Sequence, residues 1–593
     1  MKLRPFARRL PLCVSPLALA GMLLLLPAAV HAVDAPPPAA TAAAPLASDL
    51  RAEARHGQIF LSWRENEAPA GTTLNVYVSS QPITSVKAAR RIGHHVELRS
   101  ANDWWEDPAA FTKGAASGPP KGYRLQAGGE RLDPARGLFV HTITADATAL
   151  RYFAVTHSDP DGREQAGVAV GVNATREGIN AVAAPVEPVW QRDGAAPALG
   201  AGRGKGLWLN LHGKSGVVRD SEYLAFGDAT MGWREGLPFK FSVRVQGDEI
   251  VIRPTDRTWI NRPFEEAKDS GAKAIWTFWY GYNSRIYDRA AMAGGVVTNY
   301  TERRLLWILD WVSRHYGTDR NRWYCSGSSM GGCGTMSFGW RHPELFAALH
   351  AHVPIASFTY LGSGSAHRLE PMSGFAPLTT AVMTNENVPL LERMNGVSYV
   401  SAATADLPFL YIINGRQDNS IPWQNNPPFY RALEQSGQGY AVFWDDGRHD
   451  TSGKNAPPDV AGWTRRFLRF RLDESFPAFT NTSANRNPGN GDPADGDLMG
   501  WMNRGMNWRE IEDEAGHYAI TLTADFPEIA YPVQADVTLR RVQRFKPAAG
   551  YRLRVSVGKL PEFTVQVGPD GRITLPRVVI PDQTGVRVVL RRT

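Results

Sequence analysis

Cysteine is scarce in this sequence, with three residues among 593. Cys13 lies near the start of the chain, and Cys325 and Cys333 lie four residues to either side of Ser329. A bridge between these last two is the one pairing left once a leader that contains Cys13 is removed. Cysteine is among the residue types most often buried, so two buried apolar thiols are the favoured interpretation.

Long apolar runs are almost absent as well. The one run, residues 17–29, follows Lys2, Arg4, Arg8 and Arg9 and precedes an A-x-A-like site at residues 30–32. It is shorter than the stretch of about 20 apolar residues that a membrane span needs. This arrangement is typical of a secretory signal peptide, so we predict a signal peptide over residues 1–32 and a secreted or periplasmic protein.

A strong charge of one sign is also missing. The formal net charge of the whole chain is +7, and removal of the leader takes four cations away, which leaves about +3. This near balance does not indicate a nucleic-acid partner or a membrane partner. The sequence shows no short internal repeat.

The composition divides the chain into three parts joined by linkers. Residues 33–47 are Ala/Pro-rich, residues 177–203 are linker-like, and residues 473–516 are rich in Gly, Asn and Asp. Asn490, Asp492, Asp495 and Asp497 could offer oxygens to Ca²⁺, but they lack EF-hand spacing, and a solvated linker is the favoured interpretation.

The first part, residues 48–176, shows the alternation of short β-strands. Trp63 lies on an early alternating segment, and a late aromatic segment ends in the hairpin turn Asp161-Gly162. In these features the segment resembles a fibronectin type III sandwich. A spacer or packing role is favoured over glycan binding through exposed tryptophan. Alternating segments return over residues 517–593 and predict a second β-sandwich.

The middle part, residues 204–472, alternates apolar strands with helical stretches. Residues 301–315 place apolar side chains at helical spacing, and Gly317 follows them as a stop signal. Such alternation is typical of an α/β fold with a doubly wound, mainly parallel sheet. The predicted fold class is therefore α/β, flanked by N- and C-terminal all-β sandwich domains.

Residues 322–332 read as a strand that runs into G-x-S-x-G and then into a helix. A serine on this strained turn needs small neighbours, because the strand and helix backbones nearly touch; Gly327 and Gly331 supply them. Ser329 is the candidate nucleophile. The backbone N-H of Met330 would face a developing oxyanion.

Two further polar side chains follow later strands: Asp418 comes after the apolar segment 408–415, and His449 after the segment 440–444. The order serine, aspartate, histidine resembles that of the α/β-hydrolase superfamily over roughly residues 204–472. That resemblance implies Ser329 as nucleophile, His449 as general base and Asp418 as its orienting partner.

The same resemblance extends to His212-Gly213, which matches the His-Gly motif of the superfamily. It implies a second oxyanion donor on the backbone of Gly213 or Lys214. This chain departs from the HGGG form, so the choice between the two stays open. Asp445 and Asp446 are rivals to Asp418 because they lie close to His449, whereas His350 and His352 are interpreted as structural.

Aromatic residues are dense near the predicted strand ends. Tyr280, Tyr282 and Trp423, together with His212, are predicted to line a substrate pocket, where flat rings would suit a sugar or a ferulate-like acyl group. The G-x-S-x-G-G context with flanking β-domains resembles secreted bacterial esterases of the polysaccharide or polyhydroxyalkanoate-depolymerase kind.

The favoured hypothesis is a secreted serine hydrolase that cleaves carboxylic esters on a polymer or its acyl decorations, without a metal or an organic cofactor. One alternative is a peptidase of the prolyl-oligopeptidase type, which would need an N-terminal propeller that residues 48–176 are too short to form. The other is a non-catalytic polysaccharide-binding protein, against which the complete triad argues.

Overall fold

The computed structural model describes residues 45–102, 121–144, 150–214, 222–228, 231–232, 236, 238–256, 258–259, 274–286, 291–359, 365–374, 378 and 382–592. The predicted signal peptide and most of the linker at residues 33–47 lie outside the described residues. Pro45–Thr593 forms one unit. Among the helices that the structure describes, none combines the length and the apolar character that crossing a bilayer requires.

Seven strands form two facing sheets at the start of this unit. They are β1 (Ala47–Arg55), β2 (Gln58–Glu65), β3 (Thr73–Ser79), β4 (Arg90–Glu97), β5 (Gly137–Thr142), β6 (Tyr152–Ser158) and β7 (Glu164–Gln165), with a 3-10 turn at Val86–Ala88. One sheet has the order β1-β2-β5 and the other β4-β3-β6-β7. Trp63 of β2 and Val76 of β3 belong to one buried core, so the two sheets pack face to face.

A ten-stranded sheet occupies the middle of the unit, in the order β22-β20-β19-β18-β17-β9-β12-β11-β10-β8. Its strands are β8 (Val189–Trp190), β9 (Gly206–Leu211), β10 (Tyr223–Phe226), β11 (Pro238–Gln246), β12 (Glu249–Pro254), β17 (Trp323–Ser328), β18 (Ala348–His352), β19 (Phe409–Gly415), β20 (Tyr440–Asp445) and β22 (Gly500–Met502). The pairs from β12 through β9, β17, β18 and β19 to β20 are parallel. The remaining strands pair antiparallel at the two edges.

Seven α-helices accompany this sheet: α1 (Tyr300–Tyr316), α2 (Met330–Arg341), α3 (Leu390–Arg393), α4 (Gly396–Ala402), α5 (Asn426–Ser436), α6 (Pro458–Ala461) and α7 (Trp463–Arg466) are those among the described residues. Two-stranded ribbons are formed by β13 (Thr258–Trp259) with β14 (Ala274–Ile275) and by β15 (Tyr282–Asn283) with β16 (Val297–Thr298). Turns of 3-10 helix lie at Met292–Gly294, Ala366–Ser373, Trp423–Asn425 and Phe467–Arg469.

Helix α1 buries the apolar stripe that its sequence predicts. Leu305, Ile308 and Val312 are fully buried. The helix ends at Gly317, whose φ of 73° lies in the left-handed region that glycine adopts without a Cβ clash.

Eight strands build a second pair of sheets at the end of the chain. They are β21 (Phe476–Thr480), β23 (Met506–Asp513), β24 (His517–Ala524), β25 (Val533–Arg540), β26 (Arg552–Val557), β27 (Phe563–Gln566), β28 (Thr574–Ile580) and β29 (Val586–Arg592). The sheets have the orders β21-β25-β28 and β23-β24-β29-β26-β27 and share one buried core.

Two predicted linkers contain strands, and these parts of the prediction are wrong. Within residues 473–516, β21 and β23 belong to the C-terminal sheets, and β22 pairs with β20. Within residues 177–203, β8 pairs with β10. Strands β8, β21 and β22 are short and carry too little alternation to stand out from the Gly, Pro and Asn around them. The other domain boundaries stay predictions.

Candidate active site

Ser329 lies between β17 and α2 in a strained conformation, with φ 56° and ψ −120°. A Cβ on Gly327 would lie 2.4 Å from the carbonyl of Gly331, and a Cβ on Gly331 would lie 2.1 Å from the carbonyl oxygen of Leu211. Only glycine fits these two positions, which allows the strand and the helix to approach each other. The Ser329 side chain is thereby held at the end of a sharp strand-to-helix turn.

The structure brings the three predicted catalytic side chains into one hydrogen-bonded chain. The Oγ of Ser329 lies 2.9 Å from Nε2 of His449, and Nδ1 of His449 lies 2.7 Å from Oδ2 of Asp418. The Asp418 side chain is 1% exposed, and the His449 side chain is 26% exposed. The Oδ1 atom of Asp418 also accepts the backbone N-H groups of Ser420 and Ile421, each at 2.7 Å. These bonds fix the buried carboxylate, while the imidazole is partly exposed to solvent.

The rival aspartates have other partners. Asp445 accepts the backbone N-H of Gly447 at 3.0 Å and that of Gly453 at 2.8 Å, so it organises the loop that carries His449. Burial raises the pKa of Asp445. Asp446 accepts the side-chain amide of Gln417 at 2.7 Å. The geometry therefore favours Asp418 as the partner of the imidazole.

The loop after β9 lies beside the candidate nucleophile. A Cβ on Gly213 would lie 3.5 Å from Cβ of Ser329, and Met330 begins helix α2. The loop after β9 therefore lies close to the N-terminal end of helix α2, where the helix dipole is positive. Lys214 is the next residue of the loop.

His212 is half-buried and binds backbone groups, and its place in the substrate pocket stays a prediction. Its Nδ1 lies 2.8 Å from the carbonyl oxygen of Gly213, and its Nε2 accepts the backbone N-H of Asp256 at 3.2 Å. Both ring nitrogens bind the backbone, so His212 orients the loop that follows β9. Because the C=O and N-H of a trans peptide point in opposite directions, the Lys214 N-H points away from His212.

The three aromatic residues predicted to line the pocket are buried, and we correct that prediction. Tyr280, Tyr282 and Trp423 are each 1% exposed. The Arg393 guanidinium lies 4.3 Å from the ring centre of Tyr280, and the Tyr282 ring lies 4.8 Å from that of Tyr300. These rings pack inside the protein, so they present no free face to a substrate.

The Arg416 side chain packs on Trp423 and binds a segment that the sequence predicts to be a linker. Arg416, 3% exposed, donates to the carbonyl oxygens of Asp495 and Asp497, each at 2.8 Å, and its guanidinium lies 5.2 Å from the Trp423 ring centre. It also donates to the carbonyl oxygen of Pro493. We call residues 487–497 the covering loop, because they are fastened over the segment that leads to Asp418.

The polar side chains of the covering loop mostly serve the loop itself. Asp495 accepts the backbone N-H of Asn490, and Asp492 accepts that of Ala494, each at 2.9 Å. Among the described residues, no group of three or more His, Cys, Asp or Glu is placed to hold a metal ion.

Cys325 and Cys333 are free and buried, and burial raises the pKa of each thiol to about 12.

Asp256 supports the site, and the sequence patterns above do not single it out. It is fully buried and accepts the backbone N-H groups of Thr277 at 2.8 Å and Trp279 at 2.9 Å. Phe278 and Trp279 have positive φ angles of 47° and 63°, so these bonds stabilise a strained turn. Its position just past the carboxyl end of β12 is the signal that could have identified it, since polar loops at such ends carry function.

Comparisons with known proteins agree with this geometry over part of the chain. Residues 303–473 match the model of the prolyl oligopeptidase family, and this segment contains Ser329, Asp418 and His449. In this segment the chain resembles serine hydrolases of the α/β-hydrolase superfamily. No curated protein matches the chain.

Similar solved structures include esterases and peptidases. An S-formylglutathione hydrolase from Agrobacterium tumefaciens is 14% identical, with 56% of this chain and 94% of that one covered and a TM-score of 0.31. An acylaminoacyl peptidase from Pyrococcus horikoshii is 14% identical, with 72% and 56% covered and a TM-score of 0.30. A ferulic acid esterase is 15% identical, with 45% and 83% covered and a TM-score of 0.22. Similarity at this level carries no functional conclusion.

Proposed function

We propose that this chain is a serine hydrolase that cleaves carboxylic esters through an acyl-enzyme on Ser329. The observation that carries the proposal is the continuous hydrogen-bonded chain from Ser329 through His449 to Asp418 on a strained strand-to-helix turn. Serine is a weak nucleophile until a base takes its proton, and a base held by a carboxylate in this order can take it.

In the first step His449 removes the Ser329 proton as Oγ attacks the ester carbonyl. Asp418 holds Nδ1 protonated and stabilises the imidazolium. The oxyanion would accept the backbone N-H of Met330 and that of Lys214 or Gly213. Lys214 is favoured, because the Gly213 carbonyl is drawn towards His212. The imidazolium then protonates the leaving alcohol, and a water molecule activated by His449 releases the acid.

The proposed substrate is an acyl group on a polysaccharide or a polymeric ester. A signal peptide over residues 1–32 and export to the periplasm or the medium, both predicted from the sequence, would give the enzyme access to such polymers. Neither β-module contributes a residue to the hydrogen-bonded chain that the structure describes.

The second candidate is a peptidase, and the family match over residues 303–473 favours it. The same triad cleaves amides. Against it, the described strands from β1 to β7 form two small sheets and not the blades of a propeller. A panel of acetyl, butyryl and feruloyl esters and peptide substrates separates the two, because an esterase turns over the esters and leaves the peptides intact.

Labelling with a fluorophosphonate tests whether the chain is an enzyme at all. We expect covalent labelling at Ser329 in the wild type and none at that position in Ser329→Ala. The same substitution should lower turnover of a short-chain p-nitrophenyl ester by about 10³-fold or more with an unchanged fold. A folded wild type that resists labelling would favour the non-catalytic binding protein.

A further inference from the structure

His352, at the end of β18, uses three different groups to bind the turn that carries Ser329 and the loop that carries His449. Its backbone carbonyl accepts the N-H of Ser329 at 2.9 Å. Its ring Nδ1 lies 3.1 Å from Oγ of Ser328, and its ring Nε2 lies 2.9 Å from the carbonyl oxygen of Ser452. One residue therefore joins the turn that carries Ser329 to the loop that carries His449.

The partners of the ring decide its tautomer. A carbonyl oxygen can only accept, so Nε2 carries the proton and donates it to Ser452. Nδ1 is then an acceptor and receives the hydroxyl proton of Ser328. Burial lowers the pKa of His352, which keeps the ring in this neutral form near pH 7.

Ser452 is rigidly connected to the base. Its backbone N-H and its hydroxyl both bind the carbonyl oxygen of Arg448, at 2.8 and 2.6 Å. The next residue, Gly453, donates to Asp445 at 2.8 Å. These bonds close a tight turn around residues 448–453, so a bond at Ser452 holds the whole turn, including His449.

We propose that His352 is a positioning residue that sets the distance between Ser329 and His449. The loss of activity expected in His352 variants rests on the proposed function. The expected change in the distance between Ser329 and His449 does not depend on that function. A misplacement of about 1 Å between reacting groups costs up to about 10²-fold in rate, so this contact matters although it touches no substrate.

Three substitutions at this position separate the two ring contacts. His352→Ala removes both and should lower kcat by about 10²-fold with little change in KM. His352→Gln places an amide N-H near the former Nε2 and should recover most of the lost kcat through Ser452. His352→Asn is too short to reach Ser452 and should recover little. His350→Gln, two residues earlier on the same strand, is the matched control and should leave kcat near wild type.

Crystal structures of the wild type and of His352→Ala decide the inference without any substrate. We expect the distance from Ser329 Oγ to His449 Nε2 to grow beyond the hydrogen-bond limit of about 3.5 Å in the variant. The inference is overturned if this distance is unchanged, or if His352→Gln and His352→Asn are equally impaired. Fluorophosphonate labelling of Ser328 in Ser329→Ala would also overturn it, since Ser328 and His352 would then form a reactive pair.

The two proposals fail in distinguishable ways. A wild type that neither hydrolyses esters nor reacts with the fluorophosphonate contradicts the proposed function, while the measured distance still decides the role of His352. Normal ester hydrolysis by His352→Ala contradicts only the positioning role.

Discussion

At the scale of single residues, Asp418, Asp445 and Asp446 compete as the partner of His449, and only their contacts tell them apart. Asp418 binds the imidazole at 2.7 Å, whereas Asp446 binds Gln417 and Asp445 binds two backbone N-H groups. An aspartate a few residues before the histidine on one loop would need a tight reversal to reach Nδ1. A neighbouring strand delivers Asp418 from the side.

The first prediction concerns Asp418→Asn. The amide keeps the shape of the side chain, but it favours the wrong imidazole tautomer and no longer stabilises the imidazolium, so kcat should fall by about 10⁴-fold near neutral pH. Asp446→Asn is the control and should stay within a few-fold of wild type in the same ester assay. An active Asp418→Asn beside an inactive Asp446→Asn would reverse the assignment.

The second prediction concerns the turn that carries Ser329. In Gly331→Ala the new Cβ would lie 2.1 Å from the Leu211 carbonyl oxygen, so strand β9 and helix α2 must separate. The free energy of unfolding should fall by about 3 kcal/mol or more, as for overpacked cores. Gly516→Ala is the control, because nothing lies within 4 Å of a Cβ there. Denaturant unfolding of both variants gives the comparison, and equal midpoints would show that the turn tolerates a side chain.

At the scale of elements, the covering loop shows how a segment without regular structure acquires a fixed position. Arg416 is buried, and its guanidinium donates to three carbonyl oxygens of the loop. The indole N-H of Trp444 donates to the Asp497 carbonyl oxygen at 2.8 Å as well. Backbone groups that would face water in a linker are satisfied here by side chains of the central sheet.

The third prediction is that Arg416→Met releases this loop. Methionine retains much of the apolar stem but offers no donor, so the amides of residues 487–497 should exchange faster in hydrogen-exchange mass spectrometry. Arg431→Met is the matched control, because the Arg431 side chain is exposed and makes a longer bond of 3.4 Å to Gly489. Slow exchange retained in Arg416→Met would mean that other contacts hold the loop.

The sequence predicts those features that depend on local patterns. The strand, the two glycines and the helix around Ser329 follow from spacing alone, and the parallel strands follow from apolar runs that alternate with helices. The order of Asp418 and His449 along the chain, which resembles that of the α/β-hydrolase superfamily, predicts them as the partners of Ser329. The domain limits at residues 473–516 are harder to predict, because β21 and β23 flank a stretch rich in Gly and Asn, and β21 is identified only by its distant sheet partner β25.

The roles of the aromatic residues could not be predicted in the same way. Tyr280 packs under Arg393, and Trp423 packs under Arg416, which binds a loop from much later in the chain. A dense aromatic segment looks the same in sequence whether its rings face a pocket or a core. The contacts that place a ring in a pocket or in the core join positions far apart in the chain. The periodicity of a local segment contains no information about such contacts.

At the scale of the whole molecule, one buried histidine couples stability to pH. His350 lies on β18 in the middle of the ten-stranded sheet, and burial lowers its pKa to about 4. Between pH 6.5 and 4, His350 binds a proton in the unfolded chain but not in the folded chain. The free energy of unfolding therefore falls as the pH falls through this window. The full effect corresponds to about 3 kcal/mol.

The fourth prediction follows from that coupling. His350→Phe cannot take up a proton, so its unfolding midpoint in urea should shift less between pH 6.5 and pH 4.5 than the midpoint of the wild type. Each protein is compared with itself at the two pH values, which removes any constant change in packing. An identical shift in both proteins would assign the acid sensitivity to other groups.

The late position of the covering loop and β22 in the chain also determines the order in which the central sheet can be completed during synthesis. Chains emerge from the ribosome N-terminus first at roughly 5–20 residues per second, so residue 502 follows residue 449 by on the order of three to ten seconds. During that interval the turn with Ser329, the Asp418 segment and the His449 loop have all been made, yet Arg416 has no loop to bind and β20 has no partner at its outer edge. The nascent protein therefore passes through a stage in which all three catalytic side chains exist on an unfinished sheet. A chain truncated after residue 472 would remain at that stage permanently.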